Sequence, residues 1–297
     1  METAKKNTGA AYGLLAPGLG WLVLFFFVPM AFMLVRSLST HTVDATYHEH
    51  YNFDWNLQNY KDAWNNYRGD FQRSFIYAGA ATVLAFFIAY PLAYVIAFRG
   101  GRWKSLLLLL VIAPFFTNYL IRTIAWETIL SDNSVVTQTL RSLHLLSLTD
   151  SLGWTSGDRL LATPLAVVTA ITYNYLAFMI LPLYVSLEKI DPRLLEASLD
   201  LYASRVRAFM RVTLPLSLPG VFAGTLLTFI PATGDYINAE LLGSAQTRMI
   251  GNVIQSKFIT FHDYASGAAL SFSLMAIVLV LIVLYAKVLG TEDVSTV

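Results

Sequence analysis

Six long apolar stretches, at residues 14–35, 75–98, 105–130, 160–187, 214–237 and 265–288, constrain this chain more than any other feature. Each is close to the ~20 residues that an α-helix needs to cross a ~30 Å hydrocarbon layer. A closed barrel does not fit, because it would need segments of about ten residues with strict apolar–polar alternation, and these runs are continuously apolar. With 56% hydrophobic and 13% charged residues among its 297, the chain is also more apolar than a soluble domain at roughly 45–50%. The expected fold is therefore all-α and integral to the membrane, with six transmembrane helices in a single domain, residues 1–297. The first stretch is too long for a simple signal peptide and lacks a small-residue cleavage site, so it is expected to be a retained span.

Lys and Arg in the short connections set the orientation. Lys5, Lys6, Arg99, Arg102, Lys104, Lys189, Arg193, Arg205, Arg207, Arg211 and Lys287 fall on one side. On the other, Lys61, Arg68, Arg73, Arg141, Arg159, Arg248 and Lys257 face acids that include Asp44, Glu49, Asp54, Asp62 and Asp70. Both termini are thus expected in the cytoplasm, with His41, His48, His50, His144 and His262 outside. A net charge of +1 without a long basic run argues against nucleic acid as a partner. The absence of cysteine excludes disulfides and thiolate chemistry. An intramembrane enzyme is disfavoured because no His-Glu-x-x-His, Gly-x-Ser-x-Gly or metal-spaced cluster occurs. A stand-alone secondary transporter would need buried acids or broken helices near the midplane, and ideally two matching halves; the sequence has no acid near the middle of a span and no internal repeat. A purely structural assembly subunit would share the spans but not need a cytoplasmic docking loop. Prolines at 29, 91, 114, 164, 182, 219 and 231 lie in or at the ends of spans. They fit either the ordinary tolerance of membrane helices for proline or a bundle that hinges.

The loop between the fourth and fifth spans, residues 191–214, is the most informative cytoplasmic segment. Asp191 followed by Pro192 is a helix start, the carboxylate capping free N–H groups and the proline occupying the first turn. Leu194, Leu195, Ala197, Ser198, Leu201 and Tyr202 recur with helical spacing, while Glu196 and Asp200 lie one turn apart on another face. Ser204 is placed to cap a second short helix carrying Val206, Phe209 and Met210. Such a pair suits a groove on another protein, or the inner leaflet with its basic residues at the headgroups.

The run Glu196-Ala197-Ser198, with Asp200-Leu201, Ala203-Ser204, Phe209, Val212, Leu214-Pro215 and Pro219-Gly220, resembles the cytoplasmic signature loop of importer permeases of the ATP-binding-cassette superfamily. The resemblance implies a six-transmembrane-helix type I importer permease bundle in a bacterial cytoplasmic membrane. It makes the loop a coupling helix in which Glu196, Ala197, Ser198, Asp200, Leu201, Tyr202 and Ala203 dock on a nucleotide-binding subunit. This chain has no Gly-x-x-x-x-Gly-Lys-Ser/Thr loop and no Gly-Lys pair, so ATP and Mg are expected on a separate ATPase, present in two copies. A second homologous permease, or a second copy of this one, and an extracytoplasmic substrate-binding protein complete the implied assembly, which would work by alternating access. Tyr202 departs from the pattern, since the family usually has glycine there. A bulky residue at positive φ costs roughly 1–2 kcal/mol, so a differently built turn is expected.

A narrower resemblance, to the spermidine/putrescine permease group, rests on Ile230-Pro231-Ala232, Asp235-Tyr236, Leu241-Leu242-Gly243, residues 249–255, Phe258 and residues 267–271. A second patch agrees, at Pro114-Phe115, residues 119–123, Ala125-Trp126 and residues 130–133. A polyamine is a flexible chain of ammonium groups, and its passage calls for carboxylates and aromatic faces. The candidate path is Glu127, Asp235 and Glu240 with Tyr119, Trp126, Tyr173, Tyr175 and Tyr236. The alternatives are that these acids face bulk water, that the rings form an interface belt, or that Arg122 is the structural partner of Glu127. Relatives moving other small solutes share the same skeleton. The outer connection, residues 39–72, is rich in Tyr, Trp and Asn and has two readings, a contact for the delivery protein or a cap on the bundle.

Overall fold

The computed structural model describes residues 8–43, 49–143, 145–150, 153–155, 157 and 159–288; Lys5, Lys6, Asp44, His48 and His144 lie outside them. Helix α1 (Thr8–Leu22) passes through a wide π-helical turn, Val23–Phe27, into α2 (Val28–Ser37). The wide turn precedes Pro29, which has no N–H and whose ring would clash with a carbonyl of a regular α-turn. The outer connection then forms an antiparallel hairpin of β1 (Ser39–Val43) and β2 (Glu49–Phe53), with His41 opposite Tyr51. Helix α3 (Gln58–Arg99) is 42 residues long and starts well before the apolar stretch it contains. It is followed by α4 (Lys104–Ile112), α5 (Tyr119–Leu130), the short α6 (Val135–Ser142) and α7 (Leu145–Asp150), and α8 (Pro164–Glu188). The remaining helices are α9 (Pro192–Asp200), α10 (Arg205–Ala208), α11 (Leu214–Thr233), α12 (Ile237–Leu242), α13 (Ile250–Ile259) and α14 (Tyr264–Val288).

Among the described residues, five helical stretches are long and apolar enough to span a bilayer, and a sixth is a bent pair. That pair corrects the expectation of a single helix over 105–130. Residues Gly101–Phe116 and Tyr119–Leu130 meet at 93°. Thr117 turns extended, with ψ 141°, and Asn118 caps a new helix by accepting the Leu120 N–H on its side chain. A side chain that satisfies free N–H groups lets the chain restart in a new direction.

The fold comprises two compact units, Met1–Tyr67 with Ile254–Ile277, and Arg68–Val253 with Val278–Val297. In the first, the Tyr51 ring stacks on His41 and lies under Arg36, and its hydroxyl donates to the His262 carbonyl. Lys257 and Asp263 form an ion pair at 2.9 Å.

The second unit is organised around α3, α8 and α11. On α3 an almost unbroken stripe of alanines, at 78, 81, 85, 89, 93 and 97, is buried, and from Ala85 onward it packs against Met179, Ile180, Leu183 and Leu187 of α8. In lipid, where apolar burial gives no drive between helices, small residues allow the close approach that dispersion requires. The contact of α8 with α11 follows the same rule. A Cβ on Gly220 would stand 2.5 Å from Ser186 Cβ and 2.7 Å from the Pro182 carbonyl oxygen, and one on Gly224 would stand 2.9 Å from Met179 Sδ.

Candidate functional site

The loop at residues 191–214 is built as its sequence predicts, with one correction. Asp191 accepts the Arg193 N–H at 2.9 Å and starts α9, and Ser204 accepts the Arg207 N–H at 3.3 Å and starts α10. Between them α9 ends in a Schellman motif. Ala203 N–H bonds to the Ser198 carbonyl and Tyr202 N–H to the Leu199 carbonyl, which puts Tyr202 at the left-handed position. Its φ is +57°. The expected rebuilding of the turn is therefore wrong: the local hydrogen bonds hold the glycine-type geometry, and tyrosine adopts it with strain.

This loop presents its outer surface to whatever lies beyond it. Glu196, Ala197 and Asp200 are exposed, Ser198 and Ala203 are half-buried, and Leu201 and Tyr202 are 82% and 96% exposed. The inner surface is anchored. Phe209 packs edge-on against Tyr90 and Tyr94 of α3, the Tyr90 hydroxyl bonds Ser217 of α11 at 2.8 Å, and Lys104 pairs with Glu188 at 2.8 Å. From α10 the chain continues through a π-helical turn, Phe209–Thr213, into α11 as one helical stretch, Arg205–Thr233. Again the wide turn precedes a proline, Pro215. At 1.5 Å per residue this rod is about 43 Å long.

At its far end stands a buried polar cluster. Asp235, 5% exposed, accepts bonds from the Tyr119 hydroxyl (2.5 Å), the Asn238 side-chain amide (2.7 Å) and the Asn238 backbone N–H (3.0 Å). Asn238 is the hub. Its amide nitrogen also donates to the Tyr119 oxygen at 2.6 Å, and its oxygen accepts from Thr123 and Asn174, each at 3.1 Å. The Tyr119 and Tyr175 rings lie 6.5 Å apart beside this cluster. A buried carboxylate is tolerated only with such a set of donors.

A family model described as the binding-protein-dependent transport system inner membrane component matches residues 81–289. The chain belongs to this family. The spermidine/putrescine transport system permease protein PotB of Haemophilus influenzae is 36% identical to this permease over 268 residues, or 90% of each chain. The PotB of Escherichia coli is 35% identical over 267 residues, covering 90% of this chain and 93% of the relative. The inner membrane ABC transporter permease protein YdcU of Escherichia coli is 32% identical over 226 residues, covering 74% and 71%. A crystal structure of a bacterial ABC transporter involved in import of the acidic polysaccharide alginate superposes over 96% of both chains with a TM-score of 0.71 at 17% identity. That likeness is one of fold, the type I importer permease bundle.

Within this permease, the candidate path residues divide into separate groups. Tyr119, Tyr175 and Asp235 come together in the polar cluster. Trp126 and Tyr173 form a second aromatic contact, 5.4 Å between centroids. Exposed Tyr236 and Glu240 are joined through Asn252, whose amide donates to the Tyr236 carbonyl and the Glu240 carboxylate, both at 2.9 Å. Glu127 is half-buried, its side chain makes no hydrogen bond or ion pair among the described residues, and the buried Nε and Nη1 of Arg122 are not paired with it. Asn238, Asn174 and Thr123 were not anticipated. The one local sign was Asn238 three residues after Asp235, the spacing at which a carboxylate accepts a backbone N–H to open a helix.

Proposed function

We propose that this permease is one transmembrane subunit of an ABC importer that carries polyamines of the spermidine/putrescine class into the cell. The observation that carries the substrate class is identity of 35–36%, sustained over 90% of the chain, to permeases named for spermidine and putrescine. A cluster of one carboxylate and two tyrosines is suited to an alkylammonium, which gains from a negative charge and from aromatic faces. ATP and Mg bind a separate cytoplasmic ATPase present in two copies, one of which docks on this chain's loop at Glu196, Ala197, Ser198, Asp200, Leu201, Tyr202 and Ala203. A second homologous permease completes the pathway, and an extracytoplasmic binding protein delivers substrate to the outer connection. Both termini are cytoplasmic. Closure of the ATPase pair displaces α9, and the rod from Arg205 to Thr233 carries that displacement to Asp235, where the substrate site opens to one side or the other.

The test is ATP hydrolysis and labelled spermidine uptake by the reconstituted transporter, with Glu196→Lys compared to wild type. The reading expects uptake by wild type, and loss of ATPase assembly or of coupling in a variant that still inserts. Wild-type vesicles that do not accumulate spermidine would remove the substrate class. A fully coupled Glu196→Lys transporter would remove the docking role of that residue.

A further inference from the structure

Arg122 opens onto an apolar cavity of about 280 Å³ lined by α3, α4 and α8. The residue is 9% exposed, and its Nε and Nη1 are buried without a hydrogen-bond partner. Its guanidinium rests on the ring faces of Phe115 and Tyr119, at 5.2 and 5.5 Å from the centroids. A ring quadrupole attracts a cation but does not neutralise it, and a buried charge without a counter-charge is among the costliest groups a fold can hold. Asp235 is the complementary case. It is a buried carboxylate held by neutral donors, with no ion pair to any described cation. One side chain stands between the two charges: Tyr119 gives its hydroxyl to Asp235 and its ring face to Arg122.

We propose that Arg122 is the resident counter-ion of Asp235, and that the two alternate between separated and paired arrangements as the site is filled and emptied. In the arrangement described here Tyr119 holds the carboxylate and the guanidinium waits on the rings. In the other, Tyr119 withdraws and the guanidinium takes its place. A substrate ammonium at Asp235 keeps Arg122 away by like-charge repulsion, and the returning guanidinium displaces the ammonium. Release then never leaves a bare carboxylate in apolar surroundings, and recapture is blocked. The competitor's identity rests on the polyamine reading, whereas the pairing itself does not.

The test uses the whole reconstituted transporter with Arg122→Gln, Arg122→Lys, Asp235→Asn and the double variant Arg122→Gln/Asp235→Asn. Loss of the competing cation is expected to lower the half-saturating spermidine concentration about tenfold and to slow maximal uptake with it. Arg122→Lys keeps a cation and is expected to shift the half-saturation less than Arg122→Gln does. An unchanged half-saturation in Arg122→Gln, or the same shift in the Asp235→Asn background, overturns the proposal. A second readout needs no substrate: thermal unfolding of the complex, nucleotide-free and nucleotide-trapped. Either single substitution strands one buried charge, so the double variant is expected to assemble better and melt higher than either, by a margin that differs between the two states. Additive losses in both states overturn the pairing. Non-additive losses with a wild type that takes up no spermidine leave the pairing standing and remove the polyamine reading.

Discussion

Replacing Tyr202 by glycine separates folding from docking, because the two respond with opposite sign. Tyr202 sits at φ +57° and is 96% exposed, so its removal gives up almost no burial within the chain. A left-handed conformation costs an L-residue about 1–2 kcal/mol, while glycine's greater freedom in the unfolded chain takes back about 0.5–1 kcal/mol. Tyr202→Gly is therefore expected to stabilise the isolated permease by about 0.5–1 kcal/mol, a rise in melting temperature of about 1–4 °C for a chain of this size. Tyr202→Ala keeps the strain and should stay within about 0.5 kcal/mol of wild type. Docking goes the other way. If the ring is buried against the ATPase, truncating such an interface aromatic costs about 2 kcal/mol or more, about thirtyfold in Kd. Thermal unfolding in detergent and titration of the purified ATPase onto the permease read the two effects. A glycine variant that melts lower refutes the strain argument, and an alanine variant that binds the ATPase with wild-type affinity refutes the anchoring role.

Gly220→Val places branched carbons against Ser186 and the Pro182 carbonyl and should destabilise the permease by about 1–3 kcal/mol by overpacking. Gly79→Ala, where an added Cβ meets nothing within 4 Å, should be neutral or slightly stabilising in the same thermal assay. Asn238→Leu removes amide bonds to Asp235 and Tyr119 together with the acceptor of Thr123 and Asn174. It should lower stability by about 1–3 kcal/mol and abolish uptake, whereas near-normal uptake would make the cluster dispensable. For Asp263, burial alone would raise the carboxyl pKa, but hydrogen bonds from Ser266 and Lys257 outweigh it and hold the group below its ordinary value. Its stabilising effect is thus complete above the unfolded carboxylate range near pH ~4 and is lost as pH falls through the folded value. Because the pair with Lys257 is partly open to solvent, with His41 also nearby at 3.7 Å, the effect should be no more than about 1 kcal/mol. Asp263→Asn should flatten that acid limb in a pH series of melting curves.

What could be read from the chain beforehand was what depends on neighbours in sequence. Continuous apolarity marks a span without reference to any other segment, so all six stretches were legible, and the caps at Asp191 and Ser204 are decided within three residues. The bend at Thr117–Asn118 was also local, yet the apolar run passes through it unbroken, and an asparagine cap competes poorly with that signal. The hairpin in the outer connection was not anticipated either, since it lies in a polar segment with little alternation. Asn238 was hidden for a different reason. Its partners Tyr119, Thr123 and Asn174 lie 64 to 119 positions away, and only packing of α5, α8 and α12 brings them together.

These two kinds of information meet in one element. The rod from Arg205 to Thr233 begins in the loop whose geometry is set by local caps and ends two residues before the carboxylate that tertiary contact joins to Tyr119. Its middle is pinned to α8 by Gly220 and Gly224, where no side chain separates the backbones. A close-packed helix pair resists shear and bending more than it resists motion as a body, because interiors at crystal-like density have few alternative packings. Displacement of the loop is thus expected to move α8 and α11 together, carrying Asn174, Tyr175 and Asp235 relative to Tyr119 and Arg122 on α5. The 93° break before α5 is what allows that difference. A straight third span would be bound to its own first half, whereas a helix capped anew at Asn118 can keep its place while the others shift. On this argument, removing the cap with Asn118→Ala should impair spermidine uptake more than ATPase binding, and equal losses in both would show that the break serves only to fit α5 into the bundle.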